Sequence, residues 1–172
     1  MRFEHKPTSA RPEASRRLFN SCRQGMRSAW AKQAGASEAL VDPSRDGLKV
    51  LVVDDDVDAA DSLAAFLTLG PYDTKAAYGG QQALSLATTF EPNVVFLDIN
   101  MPRMDGYAAA KALRRMFSIG PPLLIAFTGQ AEPVNTAAAE QAGFDLHVRK
   151  PCDYENLLGL LDKAISKRYF AK

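Results

Sequence analysis

Five short apolar runs alternate with segments of helical period from Leu48 onward, and this alternation limits the fold more than any other feature of the chain. The runs cover 48–53, 72–77, 93–97, 123–127 and 144–148. Helical spacing covers Ala59, Ala60, Leu63, Phe66 and Leu67 before a stop at Gly70-Pro71. It returns over 81–90, 106–117, the Ala-rich stretch 131–142, and 155–167 with Leu157, Leu158, Leu161 and Ile165. A strand joined to the next by a helix cannot fold back on it as a hairpin, so the pair becomes parallel and the crossover right-handed. Helices then cover both faces of the sheet, which explains why the runs at 94–97 and 123–127 are continuously apolar. The expected fold is α/β, a doubly wound five-stranded parallel sheet of flavodoxin-like strand order.

The polar residues that end these runs carry the chemistry. Val94-Val95-Phe96-Leu97 stops abruptly at Asp98, followed by Ile99-Asn100-Met101-Pro102. Taken alone, Asp98 serves as well for a helix cap as for a reactive group. It is one of a set, however. Asp54-Asp55-Asp56 follow the first run, Thr128 the fourth and Lys150 the fifth. In an open parallel sheet these ends converge on the edge where ligands bind. Clustered carboxylates repel one another unless a cation sits among them, and oxygen ligands suit Mg²⁺. A hydroxyl and an ammonium beside such a metal are what a phosphoryl group requires. The chain has neither GxxxxGK[ST] nor GxGxxG, so no nucleotide is expected, and a side chain receives the phosphoryl group from a donor molecule.

Charge divides the chain in two. The formal net charge is only +1, which indicates no nucleic-acid partner, but residues 1–46 hold nine Lys/Arg against five Asp/Glu while 47–172 hold twelve against fifteen. Residues 1–46 are therefore expected to be a basic extension and 47–172 the domain. Residues 1–15 read as disordered. The stretch 16–34 has a thin apolar stripe of Leu18, Cys22, Met26, Ala29 and Trp30 opposite Arg16, Arg23 and Arg27. It reads as a basic amphipathic helix for partner docking, dimerisation or a membrane surface, or as a tail with incidental periodicity. A linker follows at 35–47. No apolar run approaches the roughly 20 residues of a membrane span, and the start of the chain lacks an apolar signal core. Cys22 and Cys152 stand apart without CxxC spacing, which suits a reducing, cytoplasmic compartment.

The motifs Leu51-Val52-Val53-Asp54-Asp55-Asp56, Phe96-Leu97-Asp98-Ile99-Asn100-Met101-Pro102-Arg103-Met104-Asp105-Gly106, Phe127-Thr128-Gly129, Ala142-Gly143-Phe144-Asp145 and Lys150-Pro151 occur in this order over 47–172. Together they resemble the receiver domain of two-component response regulators. The resemblance implies that Asp98 accepts the phosphoryl group and that Asp55 binds Mg²⁺ directly. It implies that Asp54 acts through metal-bound water and that Asn100 offers its main-chain carbonyl to the ion. Thr128 becomes the switch hydroxyl, Lys150 the ion-pair partner, and Pro151 the site of a cis bond that orients the lysine. His147 stands where many members carry Tyr or Phe that moves with the threonine, so it reads either as a switch or as a half-exposed strand residue.

Plainer roles compete for several of these positions. Asp56 suits the cap of the first helix, and Asp58 and Asp61 a solvated face. Thr128 alone is a turn residue and Lys150 alone a surface charge. A haloacid-dehalogenase-like phosphatase is disfavoured, because Asp54-Asp55-Asp56-Val57-Asp58 lacks the final Thr or Val of DxDx[TV]. The expected function is a signalling module that catalyses only its own phosphorylation and dephosphorylation. Its donor is a sensor histidine kinase or phosphotransfer protein, and its output is a contact with a downstream protein, with a homodimer as a further arrangement. The few residues after the last helix leave no room there for a DNA-binding output domain. The alternative is a receiver fragment of a hybrid kinase.

Overall fold

The computed structural model describes residues 47–129 and 136–170; the expected extension at 1–46, with its helix at 16–34, lies outside the described residues. The elements are β1 (Leu48–Val53), α1 (Val57–Thr68), β2 (Tyr72–Ala77), α2 (Gly80–Phe90), β3 (Val94–Leu97), α3 (Gly106–Met116), β4 (Leu123–Thr128), α4 (Thr136–Ala142), β5 (Leu146–Arg149) and α5 (Tyr154–Ile165), closed by a π-helical turn at Ser166–Phe170. All strand pairs are parallel, in the order β2-β1-β3-β4-β5. That is the doubly wound, flavodoxin-like arrangement expected from the alternation.

Strand parity sorts the core into two layers. Val50, Val52, Phe96, Ile125 and Val148 point to one face, where Leu63 and Leu67 of α1 and Leu157, Leu158, Leu161 and Ile165 of α5 cover them. Leu51, Val53, Val95, Leu97 and Leu124 point to the other, against Ala83, Ala87 and Phe90 of α2 and Ala109, Ala110 and Leu113 of α3. Alanines dominate the second set of helices, which lets them lie close to a sheet face built of larger Val and Leu. Capping fixes where two helices begin: Asp56 accepts from Asp58 N at 3.0 Å and Ala59 N at 3.2 Å, and Asp105 accepts from Ala108 N at 2.7 Å.

One strand start differs by two residues from the sequence expectation, and the start of one helix is not described. Helix α4 is described from Thr136, and 131–135 lie outside the described residues. Strand β5 starts at Leu146 instead of 144, because Gly143 takes a left-handed φ of +92° and turns the chain. Phe144 then packs edge-on against Tyr107, with ring centroids 6.2 Å apart. Asp145 becomes a hub at the N-terminal end of the sheet: its carboxylate accepts from Leu124 N at 2.7 Å and pairs with Arg114 at 2.6 Å and Arg168 at 2.9 Å. Tyr169, in the closing turn, donates to Asn93 O at 2.8 Å at that same end.

Phe96 is fully buried at the centre of the first layer and meets Phe127 edge-to-face at 5.9 Å. Phe96→Ala is expected to cost about 3–5 kcal/mol of stability through lost burial and a cavity, read as a lower urea midpoint with an unchanged m-value.

Candidate functional site

The register of β1 and β3 brings two carboxylates together. Val53 pairs with Leu97, and the ladder runs one step further, with Asp98 N donating to Val53 O at 2.9 Å and Asp54 N to Ala77 O at 3.1 Å. Asp54 and Asp98 therefore end neighbouring central strands side by side, only 5% and 6% exposed. Backbone amides of the following turns fix their rotamers: Asp56 N donates to Asp54 Oδ1 at 3.1 Å, and Asn100 N to Asp98 Oδ2 at 3.0 Å. Gly106 allows the β3–α3 turn to close over this point. A Cβ there would lie 2.3 Å from the Asp98 carbonyl oxygen and 2.7 Å from Ile99 Cα, both backbone atoms with no room to yield.

Asp55 is exposed beside them, and Asp54, Asp55 and Asp98 each offer a carboxylate oxygen within 4.8 Å of the others. Three hard oxygen donors so placed can hold a divalent cation. Lys150 approaches from the fifth strand. Its ammonium donates to Asp54 Oδ2, and to Asp98 Oδ1 at 3.2 Å. The peptide bond between Lys150 and Pro151 is cis. Lys150 N donates to Thr128 O at 2.6 Å, and Nζ lies 5.2 Å from the Phe127 ring centroid.

The electrostatics follow from this crowding. Burial pushes the Asp98 carboxyl up from its ordinary range; the Lys150 charge opposes that shift and the Asp54 charge adds to it. Burial alone would lower Lys150, but the Asp54 hydrogen bond and the charges of Asp98 and Asp54 outweigh it, and the ammonium is held more firmly charged than usual. Thr128 is 2% exposed at the end of β4, its hydroxyl 3.0 Å from His147 Nε2.

A model of the response regulator receiver domain matches residues 50–162. The chain belongs to this family. Its receiver domain is 33% identical over 120 residues to the transcriptional regulatory protein PrrA of Mycobacterium leprae, covering 70% of this chain and 51% of that protein. The chain thus spans about half the length of the curated relatives it matches. Among solved structures, the chemotaxis protein CheY4 of Vibrio cholerae superposes with a TM-score of 0.64 at 27% identity, over 68% of this chain and 98% of that one. The receiver domain of the Francisella response regulator 1452 gives 0.61 at 28% identity, over 71% and 98%. No helix among the described residues is long and apolar enough to cross a membrane.

The receiver brings together the residues its sequence singled out. Asp54, Asp98 and Lys150 are in direct contact, Asp55 adjoins them, and Asn100 takes part through its backbone amide. Asp56 caps α1, and Asp61 accepts from the Tyr78 hydroxyl at 2.9 Å, so it is not simply a solvated charge. Two partners escaped the sequence reading: Phe127 beneath the Lys150 ammonium, and the direct bond between Thr128 and His147. Only the strand register of β4 and β5 could have revealed them.

Lys150 is the cation shared by two buried carboxylates. Without divalent metal, Lys150→Ala is expected to lower stability by about 1–3 kcal/mol, since its removal leaves two buried carboxylates without their hydrogen-bond donor. Added Mg²⁺ should restore most of that loss in a thermal melt.

Proposed function

We propose that this receiver takes a phosphoryl group from a phosphohistidine of a sensor histidine kinase or phosphotransfer protein onto Asp98, in a Mg²⁺-dependent reaction. The observation that carries the reading is the contact of a buried strand-end carboxylate, Asp98, with the Lys150 ammonium beside two further acids. A carboxylate oxygen of Asp98 attacks phosphorus while the phosphorus–nitrogen bond to the donor imidazole breaks, and the imidazole leaves with that electron pair and takes up a proton.

Each side chain contributes a distinct part. Burial makes Asp98 a more basic nucleophile, and the Lys150 charge keeps it ionised. Asn100 N holds Asp98 Oδ2, so the carboxylate cannot rotate away from its place. Lys150 pairs with charge on the transferred oxygens, and Thr128 donates its hydroxyl proton to one of them. Asp54, Asp55 and Asp98, with the Asn100 carbonyl, would hold Mg²⁺, and the ion would supply positive charge against the transferred oxygens.

The product is an acyl phosphate on the domain itself, and no separate substrate is turned over. It biases the Thr128 region between two arrangements that a downstream protein distinguishes. Residues 1–46 form an extension separate from this chemistry, and the setting is cytoplasmic. The receiver itself signals through contact with a downstream protein and not through nucleic acid; the relative PrrA, a transcriptional regulatory protein, is about twice as long as the matched region.

Acetyl phosphate with Mg²⁺ is expected to add one base-labile phosphoryl group, read by intact-mass spectrometry, that Asp98→Asn abolishes; undiminished labelling of that variant would remove Asp98 from the mechanism. Asp55→Ala should weaken Mg²⁺ binding at least tenfold in calorimetry, since one carboxylate fewer leaves too little charge to dehydrate the ion. Unchanged affinity would show that the metal site has been misplaced.

A further inference from the structure

Lys150 reaches its partners across a neighbouring strand. Phe127 of β4 lies opposite Val148 of β5, so Lys150, two residues on, is its diagonal neighbour on the same sheet face. Asp54 and Asp98 continue that parity, two residues beyond Val52 and Phe96 of the first core layer. Because β4 stands between β5 and β3, the lysine stem has to cross the end of β4 before it meets either acid. Phe127 is the last residue of β4 on that face. Its ring is half-buried against the first layer, meets Phe96 edge-to-face at 5.9 Å, and has Lys150 Nζ over it at 5.2 Å from the centroid. At that distance the negative face of an aromatic ring attracts an ammonium. The core thus fixes the ring from below and presents it to a cation on a flexible four-carbon stem.

We propose that Phe127 is a positioning residue for phosphoryl transfer: its ring keeps the Lys150 ammonium over the strand ends while Asp98 gives up its ion pair. The proposal rests on the roles assigned to Asp98 and Lys150 above. In the unphosphorylated protein two carboxylates already hold the ammonium. Bond formation at Asp98 removes one of those charges, and the ammonium has to pass from a carboxylate oxygen to the phosphoryl oxygens. The ring is the contact that this exchange leaves unchanged. A lysine released toward solvent would have to be ordered again before it could pair with the phosphoryl group, against its side-chain entropy. The ring therefore contributes more to the phosphoryl-bound arrangement than to the free one, and only such a difference raises affinity for the bound state.

The test uses the full chain with Mg²⁺ and beryllofluoride as the phosphoryl analogue, and replaces Phe127 by phenylalanines carrying one, two and three ring fluorines. Fluorine withdraws charge from the ring face with little change of shape, so the series separates the attraction from packing. Affinity, read from backbone NMR shifts, should fall with each fluorine and by about two- to fivefold in all. Phe127→Leu, which keeps an apolar side chain, should lose at least as much. Mg²⁺ affinity without beryllofluoride should not move, because an apolar ring offers the ion no ligand. Equal beryllofluoride affinity across the series overturns the proposal, as does a parallel loss of Mg²⁺ affinity, which would place the effect on the acids. A second readout needs no metal: ring current should shift the Lys150 ε-methylene protons upfield in wild type, and Phe127→Leu should abolish that shift. Wild-type ε-methylene signals at the ordinary lysine position overturn the proposal independently. Wild type whose Mg²⁺-dependent beryllofluoride binding is absent, or survives Asp98→Asn, would overturn the phosphoacceptor assignment itself, whereas intact binding with a flat fluorine series overturns only the role of Phe127.

Discussion

Asp54 and Asp98 face each other at the ends of two hydrogen-bonded central strands, and neither can move without breaking the ladder that ends at it. Their carboxylate oxygens lie within 4.8 Å of each other, and at an effective dielectric of about 20 two unit charges at that separation repel by roughly 3 kcal/mol. That is a sizeable share of the stability of a small domain. The protein answers with one ammonium, Lys150, bonded to both. The arrangement is a site with a standing demand for positive charge. Lys150 supplies it from within, and Asp54, Asp55 and Asp98 are placed so that a divalent ion could supply it from without.

This demand explains why the surrounding turns are so constrained. Backbone amides of Asp56 and Asn100 each hold one oxygen of the pair, which leaves the other oxygens directed to Lys150. The β3–α3 turn can deliver Asn100 to that position only because residue 106 has no side chain to strike the Asp98 carbonyl. Packing below supports the same geometry, since Val95 and Leu97 on one face and Val94 and Phe96 on the other leave β3 fully enclosed. A strand buried on both sides has no freedom to slip, so its terminal residue is placed as firmly as its core.

The fold was legible because short strand runs alternate with segments of helical period: β1 and β2 span the expected residues, and β3 differs by one. The site was legible for a related reason. Parallel strands joined by helices put all their C-terminal ends at one edge, so Asp54, Asp98, Thr128 and Lys150 could be grouped without knowing any distance. The edge strand was harder. In β5 only Val148 is buried, so the run has little apolar signature, and its start moved to Leu146 once Gly143 turned the chain. Contacts that depend on register and rotamer left no trace in the sequence. Phe127 under Lys150, and Arg114 and Arg168 on Asp145, are of this kind.

The two ends of β4 and β5 are held in opposite ways, and this asymmetry bears on how a change at Asp98 can travel. At the N-terminal end, Asp145 binds Arg114, Arg168 and Leu124 N, while Arg114 also donates to Gly143 O and Arg168 to Pro121 O at 2.8 Å. Several charge-assisted bonds converge on one loop there, which ties α3, β4, β5 and the closing turn into a single unit. At the C-terminal end, the bonds that define β4 and β5 are those of Thr128 with His147 and Lys150, and the Lys150 ion pairs. Both involve residues proposed to contact the transferred phosphoryl group. Strand β5 is four residues long, has a neighbour on one side only, and is exposed at His147 and Arg149. Local opening free energy follows the density of buried contacts. Among the described residues, the end of β4 and β5 beside the site is held through Thr128 and Lys150, while the far end is anchored by the arginine pairs of Asp145.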